Sequence, residues 1–344
     1  MKSKNTAVRY LSAILFLALL LNGCTRSVPR GDVPAEHTVF AMDTLMELKI
    51  YGKEEILQQA AERINELERV LSVTDRDSEI YALNHAGSAV LGEDASVLLE
   101  RALSLCERTG GALDISIYPA VRAWGFTTGA YRIPGEDELS ELQKRVDYSR
   151  VEINGRSASI PDGMMIDLGS VAKGYCSDCL AEMLNEAGVK SALLNLGGNI
   201  YALGTKPDGT KWKIGIQDPA GSGYLGVVEV SDLAVITSGG YERFFEENGE
   251  VYWHIMNPET CAPARSGLIS VTIIGANGTV CDGLSTALFI MGLDQASDFW
   301  RNSDDFEAVF VTEDGSVYIT EGLKDRYHAA GSHVSKEIQV ITRE

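Results

Sequence analysis

The side chains best suited to chemistry are Asp282 and Thr286, which stand four residues apart in a segment predicted to begin a helix. Both oxygens would then project from one face of one turn. Carboxylate and hydroxyl oxygens are hard ligands, which Mg²⁺ binds while keeping waters or phosphate oxygens as its other ligands. The pair is therefore a candidate magnesium site. A capped helix with a buried threonine explains the same residues.

A second candidate segment covers residues 164–184, where we expect a strand end, a turn of small residues and a helix closed by Gly188. Asp167 and Lys173 are the two charges at the turn. The free N–H groups of a helix's first turn favour an anion. We interpret the anion as a nucleotide pyrophosphate. A strand–turn–helix with a surface ion pair is equally consistent with this stretch alone.

Two further positions could act at a site or belong to the core. His254 lies in an apolar strand that ends in a turn, where a histidine either serves a site or is a satisfied core residue. Trp124 and Phe126 flank Gly125, and such aromatic pairs form core or a wall against a flat ring system. The sequence leaves both alternatives open.

Composition restricts the possible partners. The chain has 344 residues and a net charge of −19, which argues against nucleic acid and against charge-driven binding to an anionic membrane. A ligand that carries phosphates would need a local cation to offset this field, and a bound metal ion could supply it. Cys176-x-x-Cys179 is discounted as a zinc or redox motif because it falls inside a predicted helix without further ligands.

The N-terminal residues are predicted to direct export. Lys2, Lys4 and Arg9 precede a short apolar run, and the run ends in Leu-Asn-Gly-Cys24, which resembles a lipobox. We expect a lipoprotein signal peptide over residues 1–23, a lipid on Cys24, a tether over residues 24–36, and a location outside the cytoplasm on a membrane. An ordinary secretory signal with a chance cysteine is the alternative.

The remaining chain, residues 37–344, is expected to form one catalytic unit of α+β class. The patterns predict a mixed or antiparallel β-sheet core with packed helices. One strand is predicted over residues 37–51, and helices over residues 54–70, 79–84 and 94–109. Asn154-Gly155 and Asn248-Gly249 are strong signals for tight turns between strands.

In their order along the chain, these segments resemble the ApbE family of flavin transferases, the FAD:protein FMN transferases. The resemblance covers residues 39–292 and rests on eight blocks: residues 42–44, 77–80, 114–126, 166–178, 195–199, 237–241, 254–258 and 282–288. It implies a T-fold-like architecture, FAD as substrate and a divalent metal, usually Mg²⁺. It also implies transfer of FMN to a threonine hydroxyl of a flavin-carrying subunit of a membrane redox complex, with release of AMP.

The resemblance also implies roles for the matched residues. Asp282, Thr286 and the backbone carbonyl of Ser170 would hold the metal. His254 would act as general base or orient the diphosphate. Contacts to FAD are implied for eight residues: Met42, Thr74, Ala123, Trp124, Gly125, Asp167, Lys173 and Met256.

The sequence departs from the family pattern in four places, at Thr74, Asn257, Cys261 and Cys281, where the family usually has an aromatic residue, Asp, Gly and Ala. These differences put substrate affinity in doubt, not the reaction class. Two alternatives to the transferase stay open. A metal-dependent pyrophosphatase would cleave FAD to FMN and AMP with water, and a lipid-anchored flavin-binding protein would not catalyse at all.

Overall fold

The computed structural model describes residues 33–221, 223–331 and 337–344. The predicted signal peptide, the lipobox cysteine and most of the tether lie outside the described residues. Among the described residues, no helix is both long enough and apolar enough to cross a bilayer.

A nine-stranded sheet forms the centre of the structure. The strands of the chain are β1 (Ala35–Ala41), β2 (Thr44–Ile50), β3 (Ser88–Val90), β4 (Glu152–Asn154), β5 (Ser157–Ser159), β6 (Ser191–Leu196), β7 (Asn199–Gly204), β8 (Trp212–Gln217), β9 (Tyr224–Val230), β10 (Leu233–Gly239), β11 (Phe244–Glu247), β12 (Glu250–Trp253), β13 (Met256–Asn257), β14 (Ala262–Pro263), β15 (Leu268–Gly275), β16 (Phe306–Thr312), β17 (Val317–Thr320), β18 (Tyr327–Ala329) and β19 (Gln339–Ile341). The central sheet has the order β1-β2-β6-β7-β10-β15-β16-β17-β19. Neighbouring strands in this sheet are antiparallel, except that β17 and β19 are parallel. The predicted α+β class with a mixed sheet is therefore confirmed.

The helices pack mainly on one face of this sheet. They are α1 (Glu54–Leu71), α2 (Glu79–Ala86), α3 (Glu93–Arg108), α4 (Tyr118–Ala123), α5 (Glu136–Gln143), α6 (Gly169–Glu186), α7 (Gly278–Met291) and α8 (Leu293–Arg301). On the opposite face, Val235, Ile274 and Val309 of the central sheet pack against Trp212 and Val228 of the small sheet β18-β9-β8. Apolar side chains that alternate along β10 and β15 therefore pack into two hydrophobic cores, one on each face of the sheet.

The first strand prediction is wrong, because residues 37–51 form a hairpin rather than one strand. Ala41 pairs with Thr44, and the two residues between them, Met42 and Asp43, have φ of 50° and 60°. Positive φ at both central residues is the geometry of a type I′ turn. Glu68 on α1 stabilises this turn by accepting a hydrogen bond from the Met42 N–H at 2.7 Å. Met-Asp is not a sequence that signals such a turn.

The residues that precede α6 also differ from the prediction, because they belong to no strand. Asn84 holds them in place: its side chain donates to the Ile166 carbonyl at 2.8 Å and accepts from the Ile166 N–H at 2.7 Å. The helix that follows ends just before Gly188, as predicted. Helix α7 begins four residues before the expected start, since Asn277 caps it by accepting from the Val280 N–H.

Candidate active-site cleft

A cleft of about 900 Å³ opens where the β1–β2 turn, the β6–β7 turn and the N-terminus of α6 meet. Nine of the residues singled out from the sequence line it: Met42, Thr74, Asp167, Ser170, Lys173, His254, Met256, Asp282 and Thr286. These residues come from segments that are far apart in the chain, so the fold brings them together.

Close contact between α6 and α7 builds the floor of the cleft. The two helices cross at Gly174 and Gly278, and a Cβ on Gly174 would lie 2.2 Å from the Gly278 carbonyl oxygen. No side chain larger than hydrogen fits there. Because the backbones approach so closely, the Gly174 N–H donates directly to Asp282 Oδ2 at 2.8 Å.

Asp282 is a buried carboxylate, only 5% exposed, that is held at both oxygens. Its Oδ1 accepts a hydrogen bond from the side-chain amide of Asn199 at 2.9 Å, and its Oδ2 accepts from Gly174. Burial raises the pKa of Asp282 to about 6, although Lys173 and the two hydrogen bonds favour the charged form. A cation next to this carboxylate would remove the cost of burying its charge.

Thr286 lies one turn further along α7 and faces β10. Its hydroxyl is 3.2 Å from the Ser238 hydroxyl, which also lies 2.7 Å from the hydroxyl of Ser285. Ser285 in turn donates to the Asp282 carbonyl. This chain of hydroxyls fixes the Thr286 rotamer, and the oxygen still has acceptor capacity for a ligand.

The donor set suits a divalent cation that takes oxygen ligands. Each Asp282 oxygen accepts one hydrogen bond and keeps a further lone pair. In a regular helix the Gly174 N–H would donate to the Ser170 carbonyl. Here it donates to Asp282 instead, so the Ser170 carbonyl keeps acceptor capacity for a ligand. Among the described residues, no three or more His, Cys, Asp or Glu side chains are grouped for a metal ion. The predicted set therefore depends on one carboxylate, as is common for Mg²⁺.

The N-terminus of α6 offers fewer free amides than the sequence suggested. Gly169 N–H donates to Asp167 Oδ1 at 2.8 Å, and the N–H groups of Val171 and Ala172 donate to the Leu168 carbonyl. Within the described part of the chain, the Ser170 N–H is the one first-turn amide with no acceptor. An anion at this helix end would therefore bind one amide and the partial charge of the helix, not a ring of amides.

The charges of the cleft are unbalanced. Its lining contains six carboxylates and two permanent cations, the carboxylates being Asp43, Glu68, Asp114, Asp167, Glu242 and Asp282, and the cations Lys173 and Arg243. A diphosphate entering this cleft would meet a net negative field. The lining of the cleft therefore has an excess of negative charge, as the whole chain does.

His254 lies at the rim of the cleft in its neutral form. Its Nδ1 is 3.2 Å from the carbonyl oxygen of Arg243, which can only accept, so Nδ1 carries the proton and Nε2 a lone pair. Burial, together with the nearby Arg243 charge, lowers the pKa of His254 to about 4. The ring is therefore available as a proton acceptor at neutral pH.

Ala123, Trp124 and Gly125, which the family resemblance implied as contacts to FAD, do not line the cleft. Trp124 is 3% exposed, and its Nε1 donates to the Cys261 carbonyl at 2.8 Å. Its ring packs on Tyr252 with the centroids 5.4 Å apart. Indole burial with a satisfied N–H is a structural role. Close to Trp124 in the chain, Val121, Phe126 and Thr127 do line the cleft, so of the aromatic pair that flanks Gly125 only Phe126 is in the lining.

Sequence reasoning assigned no role to Asn199, although it holds Asp282. The available signal was Gly197-Gly198 at the end of a strand, immediately before Asn199. Gly197 has φ of 67°, and a Cβ there would lie 2.2 Å from Thr44 Oγ1. The β6–β7 turn thus packs against the β1–β2 turn, which fixes Asn199 beneath the cleft.

Two of the departures from the family pattern have clear structural consequences. Asn257 Oδ1 accepts from the Glu259 N–H at 2.8 Å, a turn that an aspartate would form equally well. Cys261 has φ of 55°, a left-handed conformation that favours glycine. Burial raises the pKa of the Cys261 thiol to about 11. Its sulfur is therefore a packing group at a position where glycine would be relaxed.

Known proteins match both the sequence and the fold. The sequence model of the ApbE family matches residues 42–310. The FAD:protein FMN transferase of Treponema pallidum is 36% identical over 310 residues, which cover 82% of this chain and 86% of that protein. The FAD:protein FMN transferase of Vibrio cholerae is 29% identical over 285 residues, covering 80% and 85%.

Solved structures of ApbE proteins have a similar fold. The crystal structure of the ApbE protein of Thermotoga maritima has a TM-score of 0.80 and 30% identity, covering 85% of this chain and 98% of that one. The flavin transferase ApbE of Vibrio cholerae has a TM-score of 0.76 and 25% identity, covering 85% and 99%. By these relationships the protein is a transferase. The chain belongs to the ApbE family.

Proposed function

We propose that this protein transfers the FMN moiety of FAD to a threonine hydroxyl of a target flavoprotein and releases AMP. The names of its relatives support flavin transfer to protein. One observation of the chain itself carries the proposal: a buried carboxylate, Asp282, stands against the N-terminal turns of α6 in a cleft with excess negative charge. That arrangement suits a cation-dependent site for a diphosphate.

The reaction is a substitution at phosphorus. The threonine Oγ forms a bond to the phosphorus of the FMN half, the bond from that phosphorus to the AMP oxygen breaks, and the hydroxyl proton leaves. His254 is the best candidate to accept this proton, at Nε2, because its Nδ1 is already protonated and held by Arg243. Lys173, which lines the same cleft, would attract the diphosphate and help to neutralise its charge.

A magnesium ion would be held by Asp282, Thr286 and the Ser170 carbonyl. When bound, it would supply charge stabilisation at the phosphate oxygens. The hydrogen bonds from Gly174 and Asn199 keep the Asp282 carboxylate in one orientation, so little reorganisation is needed on binding. Asp167, Met42, Thr74 and Met256 are proposed contacts to the nucleotide, because they line the same cleft.

The proposed cellular setting follows from the N-terminal sequence. A lipid on Cys24 would anchor the protein to a membrane outside the cytoplasm, close to flavin-carrying subunits of membrane redox complexes. Replacing Cys24 by Ala should move the protein from the membrane fraction to the soluble fraction. Continued membrane binding by this variant would contradict the anchor.

The proposed reaction is tested with purified protein, FAD, Mg²⁺ and a flavin-acceptor domain. We expect covalent flavin fluorescence on the acceptor and equimolar AMP, both lost in Asp282→Ala. FMN and AMP without labelling would indicate a pyrophosphatase, and unchanged FAD a flavin-binding protein.

The metal has its own test. EDTA should abolish turnover, and Mg²⁺ should restore it. Thr286→Val removes one proposed oxygen ligand at nearly constant volume, so it should raise the Mg²⁺ concentration needed for half-maximal activity. Full turnover in EDTA would overturn the metal site.

A further inference from the structure

We propose that the outer edge of β11 is the docking strand for the acceptor protein, and that an extended acceptor segment pairs with it while delivering its threonine to the cleft. This inference rests on the proposed function, because it assumes a protein acceptor. It adds where and how that acceptor binds.

The hairpin of β11 and β12 forms a two-stranded sheet of its own, so β11 has an edge that no described strand covers. Its register pairs Glu246 with Val251 and Phe245 with Tyr252. The Val251 carbonyl accepts a hydrogen bond from Arg265, outside the hairpin, so the backbone groups of the Glu246–Val251 pair point outward. Because outward pairs alternate along an antiparallel ladder, those of Phe244–Trp253 point outward too. The Arg265 contact covers β12, whereas the backbone groups of Phe244 and Glu246 have no bonding partner among the described residues.

The hairpin continues directly into the cleft. Arg243 immediately precedes β11 and His254 immediately follows β12, and both line the cleft. The His254 N–H donates to the Arg243 carbonyl at 3.1 Å, which extends the hairpin ladder to the rim. A segment that pairs along β11 would therefore arrive next to His254, the candidate base.

The two faces of the hairpin have different surroundings. Phe245 stacks on Tyr131 and on Tyr252 with centroids 5.0 and 5.2 Å apart, so the strand is held rigidly against the loop after α4. On the opposite face, Trp253 is buried against Phe289, whereas Phe244 is 49% exposed and Val251 is 37% exposed. An exposed strand edge with apolar side chains is the surface used in recognition by strand addition.

Charge specifies the partner further. Glu246, Glu247 and Glu250 surround the hairpin tip, and none of them pairs with a lysine or arginine within the described part of the chain. An acceptor segment should therefore be extended, apolar where it meets Phe244, and basic where it meets the tip. Its binding should weaken as salt is raised.

The test compares Glu246→Pro with Glu246→Ala. Both variants remove the same charge, but only proline removes the outward N–H, and proline is tolerated on an edge strand. Loss of one intermolecular hydrogen bond predicts a KM for the acceptor about threefold to tenfold higher in Glu246→Pro than in Glu246→Ala. FAD affinity and thermal stability should be equal in the two variants.

A second measurement uses the wild-type enzyme. Binding of an acceptor domain whose target threonine is replaced by valine should slow hydrogen exchange at the Phe244 and Glu246 amides. Equal acceptor KM values in the two variants, or unchanged exchange at both amides under saturating acceptor, would overturn the docking strand while transfer itself persists. A wild-type enzyme that labels no acceptor would instead overturn the proposed function and this inference with it.

Discussion

Asp282 accepts a hydrogen bond at 2.8 Å from the backbone N–H of Gly174, a residue 108 positions earlier in the chain. The bond connects the first turns of α6 to the second turn of α7. It exists because glycine at 174 and 278 lets the helix backbones approach closely. The orientation of the candidate metal-binding carboxylate therefore depends on helix packing, not only on the residues around it.

Replacing Gly174 by Ala should separate the two helices. The new Cβ would lie 2.2 Å from the Gly278 carbonyl oxygen and 2.7 Å from Asp282 Cβ, and neither atom belongs to a flexible side chain end. We expect a loss of about 2 kcal/mol or more in unfolding free energy, together with weaker Mg²⁺ binding. Chemical denaturation and calorimetric metal titration measure the two effects.

Gly135→Ala is the matched control, since nothing lies within 4 Å of a Cβ at that position and its φ is negative. It should cost less than about 1 kcal/mol and leave metal binding unchanged. Equal metal affinity in the Gly174 variant and the wild type would show that the helix crossing does not orient Asp282.

The pKa of Asp282 predicts how the metal-free protein responds to pH. Burial raises this pKa from 3.8 to about 6, so the folded state holds the proton more tightly than the unfolded state. Stability contributed by the protonated carboxyl is therefore complete below pH 3.8 and lost as the pH rises to 6, by at most about 3 kcal/mol. Urea denaturation in EDTA at pH 4 and pH 7 tests this.

The same measurement on Asp282→Asn corrects for the other carboxylates. The unfolding free energy of the wild type minus that of the variant should be smaller at pH 7 than at pH 4. Mg²⁺ affinity of the wild type should decrease about tenfold per unit below pH 6, because the proton competes with the metal. A stability difference that does not change with pH would contradict the raised pKa.

Trp124→Phe separates a structural role from a contact to a flavin or adenine ring. The change keeps an aromatic ring but leaves the buried Cys261 carbonyl without its 2.8 Å hydrogen bond. We expect a loss of about 1–3 kcal/mol in stability and a FAD affinity that changes by less than about twofold. Flavin fluorescence quenching measures the affinity. A large loss of affinity with unchanged stability would restore the ring-wall interpretation.

Asp178 should contribute to stability without acting at the cleft. It lies on α6 and accepts hydrogen bonds from Gly278 N–H at 2.6 Å and from Thr279 N–H and Oγ1 at 2.9 and 2.7 Å, thereby capping α7. Asp178→Ala should cost about 3 kcal/mol. Asp298→Ala, which breaks only an exposed ion pair with Arg301, should cost less than about 0.5 kcal/mol in the same denaturation experiment.

Periodic and capped elements could be predicted from the sequence. The α1 and α6 helices and the Asn248-Gly249 turn follow from local patterns, and all three are present. The Met42-Asp43 turn could not be predicted, because a distant side chain, Glu68, stabilises a backbone that those residues do not favour themselves. The absence of a strand before α6 could not be predicted for the same reason, since the side chain of Asn84, not a neighbouring strand, bonds the backbone of Ile166.

The candidate site also combines features that the sequence could predict with features that depend on distant residues. Spacing alone suggested that Asp282 and Thr286 share a face, and residue types suggested an oxygen-ligand site. Asn199 and Ser238 could not be assigned roles, because their partners lie 83 and 48 residues away and only the folded sheet brings them together. For Trp124, residue type suggested a contact to a flat ring system. In the fold its indole is buried and donates to the Cys261 carbonyl, a partner that the sequence does not indicate.

The contact between Gly197 and Thr44 has a consequence for sequence variation in the family. The methyl group and hydroxyl of Thr44 occupy the volume that any side chain at position 197 would need, and Asn199 is two residues further on. Substitutions at 44 and 197 should therefore occur together, a large residue at one position accompanying a small residue at the other. Homologues that break this correlation should also have lost the amide at position 199.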